Sequence, residues 1–429
     1  MNWIVLIALF AWPLIWISSV MMFGGPGASN EISTYISVIV VLSYPIAIFG
    51  LYWLFDRSFF GIAGRQMFLV SLIVVPTLLY MSGYLQDAWN LSQGIRNEGY
   101  SNVQETVYFN GQELKEADSE SFEILRMALP AIRTTPYAKD NEHVYYDGAK
   151  LENAEASTFE ALSQSTGSIY FKDQHNVFYA EDLYQKPAVV EGADPASIEL
   201  IREEHSDYWR DNEKVFYAGK EIVGADPVSF KLAPRADNHY WQDNSSVYFN
   251  GKPLAHADPE NFSSFKKEPY HFTRSLGQDN DGYVYWRGRL LPGADASSFK
   301  VLNHEIGMDD DHLFRQTEVM LTDYDASSFR LLEDDAYLGK DVNHVYNLSK
   351  GHAGIIEGVD PNTFAVLGKG YLKDHQYVYY RKDYESKVVV VEEADASSFV
   401  IATDVKGKAD ARDTDRYFHQ GKPLPASTD

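Results

Sequence analysis

The feature that most restricts this chain is a pair of short phrases repeated from about residue 100 onward. Ala-Asp-x-x-Ser-Phe recurs with its acidic position at Asp118, Glu155, Asp194, Asp226, Asp258, Asp295, Asp325, Asp360 and Asp395, 30 to 39 residues apart. Four positions later stands Phe122, Phe159, Ile198, Phe230, Phe262, Phe299, Phe329, Phe364 or Phe399. A second phrase, Tyr-x-Lys-Asp-x-x-x-Val-Tyr-Tyr-x-Gly, precedes each copy. Its central aromatic is Tyr108, Tyr145, Phe178, Phe216, Tyr248, Tyr285, Phe314, Tyr346, Tyr379 or Phe418. A module of about 35 residues cannot bury its own apolar face and has to lean on its neighbours.

Each phrase has a physical reading. In Tyr137-Ala-Lys-Asp-Asn-Glu-His-Val-Tyr-Tyr, aromatic and β-branched residues flank a polar step, which predicts two strands joined by a turn. Asp147-Gly148 or Asn250-Gly251 then supplies the positive-φ pair of a tight hairpin, and a short third strand such as Lys220-Glu-Ile-Val follows. Glycine stands at this hairpin at 111, 148, 219, 251, 288 and 421. The aspartate of Asp194-Pro195, Asp226-Pro227, Asp258-Pro259 and Asp360-Pro361 reads as an N-cap, with proline at the first helical position. Phe230 or Phe262 would pack back on the residue before the cap, as a hydrophobic staple does. The expectation is a mainly-β array of nine to ten modules, each three short strands plus one helical turn. Propellers typically have 4–8 blades, so an open, solenoid-like array is favoured over a closed one. The repeated tyrosines and phenylalanines are then mostly core.

The first 85 residues are different in kind. Trp3 to Phe23, Ser33 to Phe55 and Met67 to Leu85 are free of charge, and each is about as long as the ~20 apolar residues a membrane span needs. Pro13, Pro45 and Pro76 lie inside these runs, which membrane helices tolerate when neighbours satisfy the freed carbonyls. With no Asp, Glu, Lys, Arg or His in any span, proton relay or ion transport by this segment is not expected. The 24–32 loop has no Lys or Arg, whereas the 56–66 loop has Arg57 and Arg65, so the second loop is expected in the cytoplasm. The N-terminus is then cytoplasmic and the repeats lie in the periplasm or outside. The domain reading is an anchor over 1–85, a linker over 86–99 and an extracytoplasmic repeat domain over 100–429.

Charge is as uneven as hydropathy. Residues 1–85 hold Arg57 and Arg65 against Glu31 and Asp56, so all of the net −24 belongs to the remainder. Such a surface repels nucleic-acid phosphates and favours cationic partners without selecting one. The chain has no cysteine, which excludes a disulfide framework, cysteine-ligated zinc and thiol catalysis.

Lys139-Asp140-Asn141 through Tyr146, Lys172-Asp173 through Tyr179, Arg210-Asp211-Asn212 through Tyr217 and Lys373-Asp374 through Tyr380 resemble the signature of the DKNYY family. The resemblance covers roughly residues 100–425. Lysine here precedes the aspartate rather than following it, a departure from the family's name. The resemblance implies a bacterial protein, often linked to the cell envelope, and brings no catalytic residues with it.

No motif marks an active site. His143 and His344 stand just before the central Val-Tyr, and His175 and His375 are offset from that position, so none forms a metal-ligand pair at helical spacing. Asp279-Asn280-Asp281-Gly282 and Asp309-Asp310-Asp311 offer oxygen ligands to calcium. Turn chemistry accounts for the first equally well, and calcium is not the favoured reading. No catalytic residue, metal or cofactor is assigned. The expected function is a non-enzymatic envelope protein held in the bilayer by three helices, its acidic aromatic array a binding or scaffold surface for a protein or polymer. The alternative is glycan or peptidoglycan binding, through Trp209, Trp241 and Trp286 if they are exposed. An envelope hydrolase is the last reading and needs two convergent carboxylates at a defined separation.

Overall fold

Second- and third-strand residues of every module alternate around a shared register. Tyr137 pairs with Tyr146, Ala138 with Tyr145 and Lys139 with Val144. Tyr240, Trp241 and Gln242 repeat this against Phe249, Tyr248 and Val247. The Asn250-Gly251 turn has φ of 48° and 73°, the double positive φ of a type I′ hairpin. In the computed structural model, residues 2–125, 135–164, 168–201, 207–234, 239–264, 276–279, 281–303, 305–333, 335–383, 387–402 and 409–424 are described.

Among these residues, the region past Gly99 forms ten antiparallel sheets with strands in sequence order, nine of four strands and the first of three. Where the sequence predicts three strands per module, the structure has four. The cap-phrase phenylalanine leads into a strand of its own, such as Glu123–Ile124 or Lys300–Val301, which pairs with the Tyr-x-Lys strand. The cap phrase itself is a single turn, closed by an i→i+4 bond in some modules and by an i→i+3 bond alone in others, such as Ser298 N–H to the Asp295 carbonyl at 3.3 Å. Phe230 N–H donates to the Asp226 carbonyl at 3.0 Å, and Phe364 N–H to that of Asp360 at 3.1 Å. Ala225 and Phe230 lie in one buried cluster, as a staple would place them.

The chain divides into two compact bodies, residues 1–200 with 218–221, and residues 201–217 with 222–429. Within each, a module's core is completed by the next. Tyr137 packs on Phe171, with ring centroids 4.7 Å apart, and Tyr208 on Trp241 at 4.6 Å. The tyrosine face of one module therefore covers the opposite face of its successor, so both faces of a strand are buried. Trp209 and Trp241 do point away from the repeat tyrosine before them, whereas Trp286 pairs with Leu276 at the tyrosine position and shares its face; they are 3, 0 and 4 % exposed, because neighbours cover both sides.

Residues 2–92 form helices α1 (Asn2–Ser19, extended by a 3-10 turn to Phe23), α2 (Ile32–Leu42), α3 (Tyr44–Leu54), α4 (Gly64–Met81) and α5 (Tyr84–Ser92). The first run and α4 are long and apolar enough to cross a membrane; α2 and α3 qualify together, with a 43° bend between them. Pro45 at the start of α3 explains the break, since proline has no N–H to continue the ladder. The Leu42 carbonyl at this break accepts the Trp12 indole N–H at 2.8 Å. The expected third run, 67–85, begins earlier at Gly64 and breaks at Gly83, whose φ is 84°.

The 86–99 stretch, expected as a linker, is not a free tether. Most of α5 lies in it, and the rest is docked. Asn97 and Glu98 N–H both donate to Asn30 Oδ1, at 2.9 and 3.0 Å, and Asn30 Nδ2 returns a bond to the Glu98 carbonyl at 2.9 Å.

Gly148 tests the stacking. Its φ is +76°, and a Cβ there would lie 2.4 Å from the Phe109 ring of the preceding module, whereas Gly224, with φ +85°, has nothing within 4 Å. Gly224→Ala is expected to cost about 1–2 kcal/mol for the backbone alone. Gly148→Ala adds roughly 1–3 kcal/mol of overpacking. Hydrogen exchange of the full chain reads the difference as a larger loss of protection around residue 148; equal losses would remove the close approach from the account.

Candidate functional site

The aspartate of each Lys-Asp turn is the most heavily used side chain in its module. Asp140, Asp173, Asp211, Asp243, Asp279, Asp309, Asp341, Asp374 and Asp413 are all between 1 and 5 % exposed. In the Asp243 turn, Oδ1 accepts the Ser245 and Ser246 amides at 2.7 Å each. Oδ2 accepts the amide of the cap residue Asp226 at 3.0 Å and the Tyr248 hydroxyl at 2.8 Å. Asp341 repeats the set with Asn343, His344, Asp325 and Tyr346, at 2.7, 2.7, 2.9 and 2.6 Å.

The cap phrase answers in kind. Ser229 Oγ donates to the Asp226 carboxylate and accepts the Asn244 N–H at 3.1 Å. Ser328 and Thr363 do the same for Val342 and His375, at 3.2 and 3.1 Å. Two turns distant in sequence thus exchange hydrogen bonds reciprocally, as the two ends of a capping box do. The cap carboxylate meets backbone amides and a hydroxyl of its own turn, as an N-cap does. Asp226 Oδ1 accepts Val228 N–H at 3.1 Å.

Electrostatics follow from these contacts. Burial pushes the Asp140, Asp243, Asp341 and Asp374 carboxyls up, but the converging amides and tyrosine hydroxyls outweigh it and hold all four below the ordinary carboxylate value. Burial and the Asp243 hydrogen bond push the Tyr248 hydroxyl up to about 12. Asp279 goes the other way. One extra residue, Gly282, moves Tyr285 out of step, and its hydroxyl bonds the Ala255 carbonyl at 2.9 Å instead. Burial then dominates and raises the Asp279 carboxyl.

The residue before the aspartate links modules. Lys172 Nζ reaches the Pro195 carbonyl of the next cap at 3.4 Å, Arg210 that of Pro227 at 3.0 Å and Lys340 that of Pro361 at 2.7 Å. Lysine therefore precedes the aspartate because that strand position points at the following module. A second link runs through the opening tyrosine. Tyr100, Tyr170, Tyr208, Tyr240 and Tyr371 hydroxyls accept the hairpin-glycine N–H of Gly148, Gly219, Gly251, Gly288 and Gly421, at 2.8 to 3.2 Å. Sequence reading did not find these bonds. The constant five-residue step from Asp140, Asp243, Asp341 and Asp374 to Tyr145, Tyr248, Tyr346 and Tyr379 is the signal that carries the carboxylate–tyrosine pair.

The histidines and the aspartate-rich turns lie in separate local settings. His143 and His312 lie beside Asp140 and Asp309, at 3.8 and 3.4 Å, and His344 beside the Tyr346 hydroxyl at 3.5 Å. His175 and His375 pair with the exposed edges of Glu155 and Asp360, each at 3.2 Å. Asp309 is committed to the Asp311, His312 and Asp295 amides, and Asn280 lies outside the described residues. No group of three or more His, Asp or Glu side chains among the described residues is arranged to hold a metal ion. An open groove of about 560 Å³ runs beside Lys139, Thr158, Glu160, Lys172, Asp173 and Pro195. Its two acids are occupied, Glu160 by Lys172 at 3.6 Å and Asp173 by the Glu155, His175 and Asn176 amides.

A family model described as the DKNYY family matches residues 104–182, 208–350 and 278–422. No curated protein matches the chain.

The opposite environments of Asp243 and Asp279 make a paired prediction. A carboxyl held below its unfolded value of about 3.9 stabilises the fold above that pH, and the contribution fades as pH falls through the lowered value. A raised carboxyl has the opposite sign and opposes folding once it ionises. Asp243→Asn sets an NH₂ group against the Asp226 amide or the Tyr248 hydroxyl and is expected to lose about 1–3 kcal/mol at pH 7. At pH 3 the loss shrinks. Asp279→Asn is expected to be neutral or stabilising at pH 7. Denaturant unfolding of the full chain at both pH values measures this, and equal losses at pH 7 would contradict it.

Proposed function

We propose, for a chain that belongs to the DKNYY family, that it is a non-catalytic, membrane-anchored protein of the bacterial envelope whose stacked modules offer an acidic binding or scaffold surface outside the membrane. One observation carries this reading. Apart from Asp279, the buried turn carboxylates are taken up by amides of their own module, while the cap carboxylates Asp194, Asp226, Asp295, Asp325, Asp360 and Asp395 stay at least partly in solvent and are held below the ordinary value, chiefly by hydrogen bonds from the Ser, Thr and amide groups of their own turns. Module after module therefore presents an acid that is ionised at neutral pH in the same local setting, and repetition of one chemistry suits an extended cationic partner. An open array is part of the proposal, because ten sheets exceed the 4–8 blades usual in a closed propeller.

Three spans are favoured by parity. The Asn30 bonds to residues 97 and 98 hold the 24–31 loop on the same side as the repeats. An even number of crossings then separates them: α4 supplies one and the bent α2–α3 pair the other. Arg57 and Arg65 lie on the opposite side, where the positive-inside rule puts the cytoplasm. Glycan stacking is the weaker reading, since the three tryptophans that motivated it are buried.

Because the chain has no cysteine, Ser58→Cys and Lys350→Cys each give a single label site. A membrane-impermeant maleimide applied to intact cells is expected to reach position 350 and not 58. Crosslinking of the full chain in its native membrane is expected to recover a reproducible partner whose yield falls as salt screens the acidic surface. Failure to recover one under low salt would count heavily against the reading.

A further inference from the structure

We propose that the anchor binds one anionic phospholipid in a groove between α1 and α3, with Arg57 receiving the headgroup phosphate. The inference rests on the membrane-spanning reading above. A cavity of about 370 Å³ is lined by Val5, Ile48, Leu51, Tyr52, Phe55 and Arg57. That size lies within the ~300–1,000 Å³ of ordinary ligand pockets. Leu51 and Phe55 are 54 and 66 % exposed, so the groove opens sideways on the helix surface, where hydrocarbon surrounds an embedded anchor.

The mouth is built rather than incidental. Arg57 follows the last turn of α3, and its backbone is fixed from both sides: its N–H donates to the Tyr52 carbonyl at 2.7 Å and its carbonyl accepts the Gly64 N–H at 2.9 Å. Gly64 permits this approach, because a Cβ there would lie 2.6 to 2.8 Å from the backbone of Tyr52, Trp53 and Arg57. The Tyr52 hydroxyl is already used, donating to Asn2 Oδ1 at 3.1 Å. Among the described residues Arg57 makes no ion pair with a carboxylate. A guanidinium held at headgroup depth, above an apolar slot, fits a phosphodiester with an acyl chain beneath it. The planar fork suits phosphate oxygens. The cytoplasmic leaflet, where this end of the bundle would lie, is the one whose anionic lipids attract basic residues.

Native mass spectrometry of the full chain, released from detergent containing phosphatidylglycerol and phosphatidylcholine in equal amounts, tests this. The wild type is expected to retain the anionic lipid with roughly tenfold preference, since both lipids offer the phosphodiester but the choline cation of phosphatidylcholine cancels the net charge that a basic residue attracts. Arg57→Gln is expected to abolish the preference, Arg57→Lys to restore part of it, and Arg65→Gln, at the other basic residue of that loop, to leave it intact. Leu51→Trp, which fills the slot without touching the charge, is expected to lower retention as well. Equal retention of both lipids by the wild type, or an undiminished preference in Arg57→Gln, overturns the proposal. Maleimide labelling separates the premises: position 58 reached from outside overturns the orientation, whereas a lost preference with correct labelling overturns the lipid site alone.

Discussion

Strands of two or three residues, squeezed between neighbouring modules, leave many backbone amides facing a dry interior. The turn between second and third strands directs two amides inward, the cap phrase directs a third, and in several modules a tyrosine hydroxyl arrives at the same point. Water cannot reach them, since the aspartate they meet is almost wholly buried. A carboxylate is the one side chain with acceptor capacity for four donors at once. Its charge makes each bond stronger than a neutral one, and every donor left unmet would lose about 1–3 kcal/mol. The rest of the module depends on this group: it sets the turn, holds the cap and, through the cap, aims the phenylalanine into the core.

The same economy of space decides what the array shows to solvent. Because each module covers both faces of its neighbours, aromatic residues are drawn inward irrespective of which face they occupy. Tyr208 and Trp209 are adjacent on one strand, and both are buried. What stays outside is the turn chemistry: cap carboxylates, serines and the ends of short strands. A surface assembled this way is acidic by construction, with its apolar side chains scattered singly, as at Tyr184, Val223 and Val228. This is why the aromatic content of the sequence is a poor guide to what the surface presents, and the repeat of the cap aspartate a better one.

Periodicity made the array legible, together with its module boundaries, the glycine hairpins and the helical cap turn. Those features are set by residues adjacent in sequence. The fourth strand was not legible as an element apart from the Tyr-x-Lys strand, because a two-residue strand such as Lys231–Leu232 has no alternation to set it off. The break at Ser43 was not foreseen either, since Pro45 is tolerated inside many membrane runs and only the Trp12 bond to Leu42 shows how the kink is satisfied. Whether the tryptophans are exposed was not legible for a different reason. Strand alternation fixes which way a side chain points, but not what covers it, and here the covering comes from a residue about 30 positions away.

The start of the array shows how anchor and repeats depend on each other. The first module has only three strands, because no cap phrase precedes it to supply the strand that others pair beside Tyr-x-Lys. Terminal modules of stacked arrays need a replacement for the missing neighbour. Here the residues leaving α5 take that place. Arg96 N–H donates to Ser101 Oγ at 3.1 Å, and a Cβ at Gly111 would meet the Asn90 side chain at 2.7 Å. The same segment is tied to the 24–31 loop through Asn30 and Asn97, and Asn97 Nδ2 donates to the Asp87 carbonyl of α5 at 3.0 Å. Burial dominates at Asp87 and raises its carboxyl, consistent with a joint from which water is largely excluded. The helical segment therefore closes the open end of the first sheet, and the direction in which the first modules leave it is set by packed amides and side chains rather than by a tether.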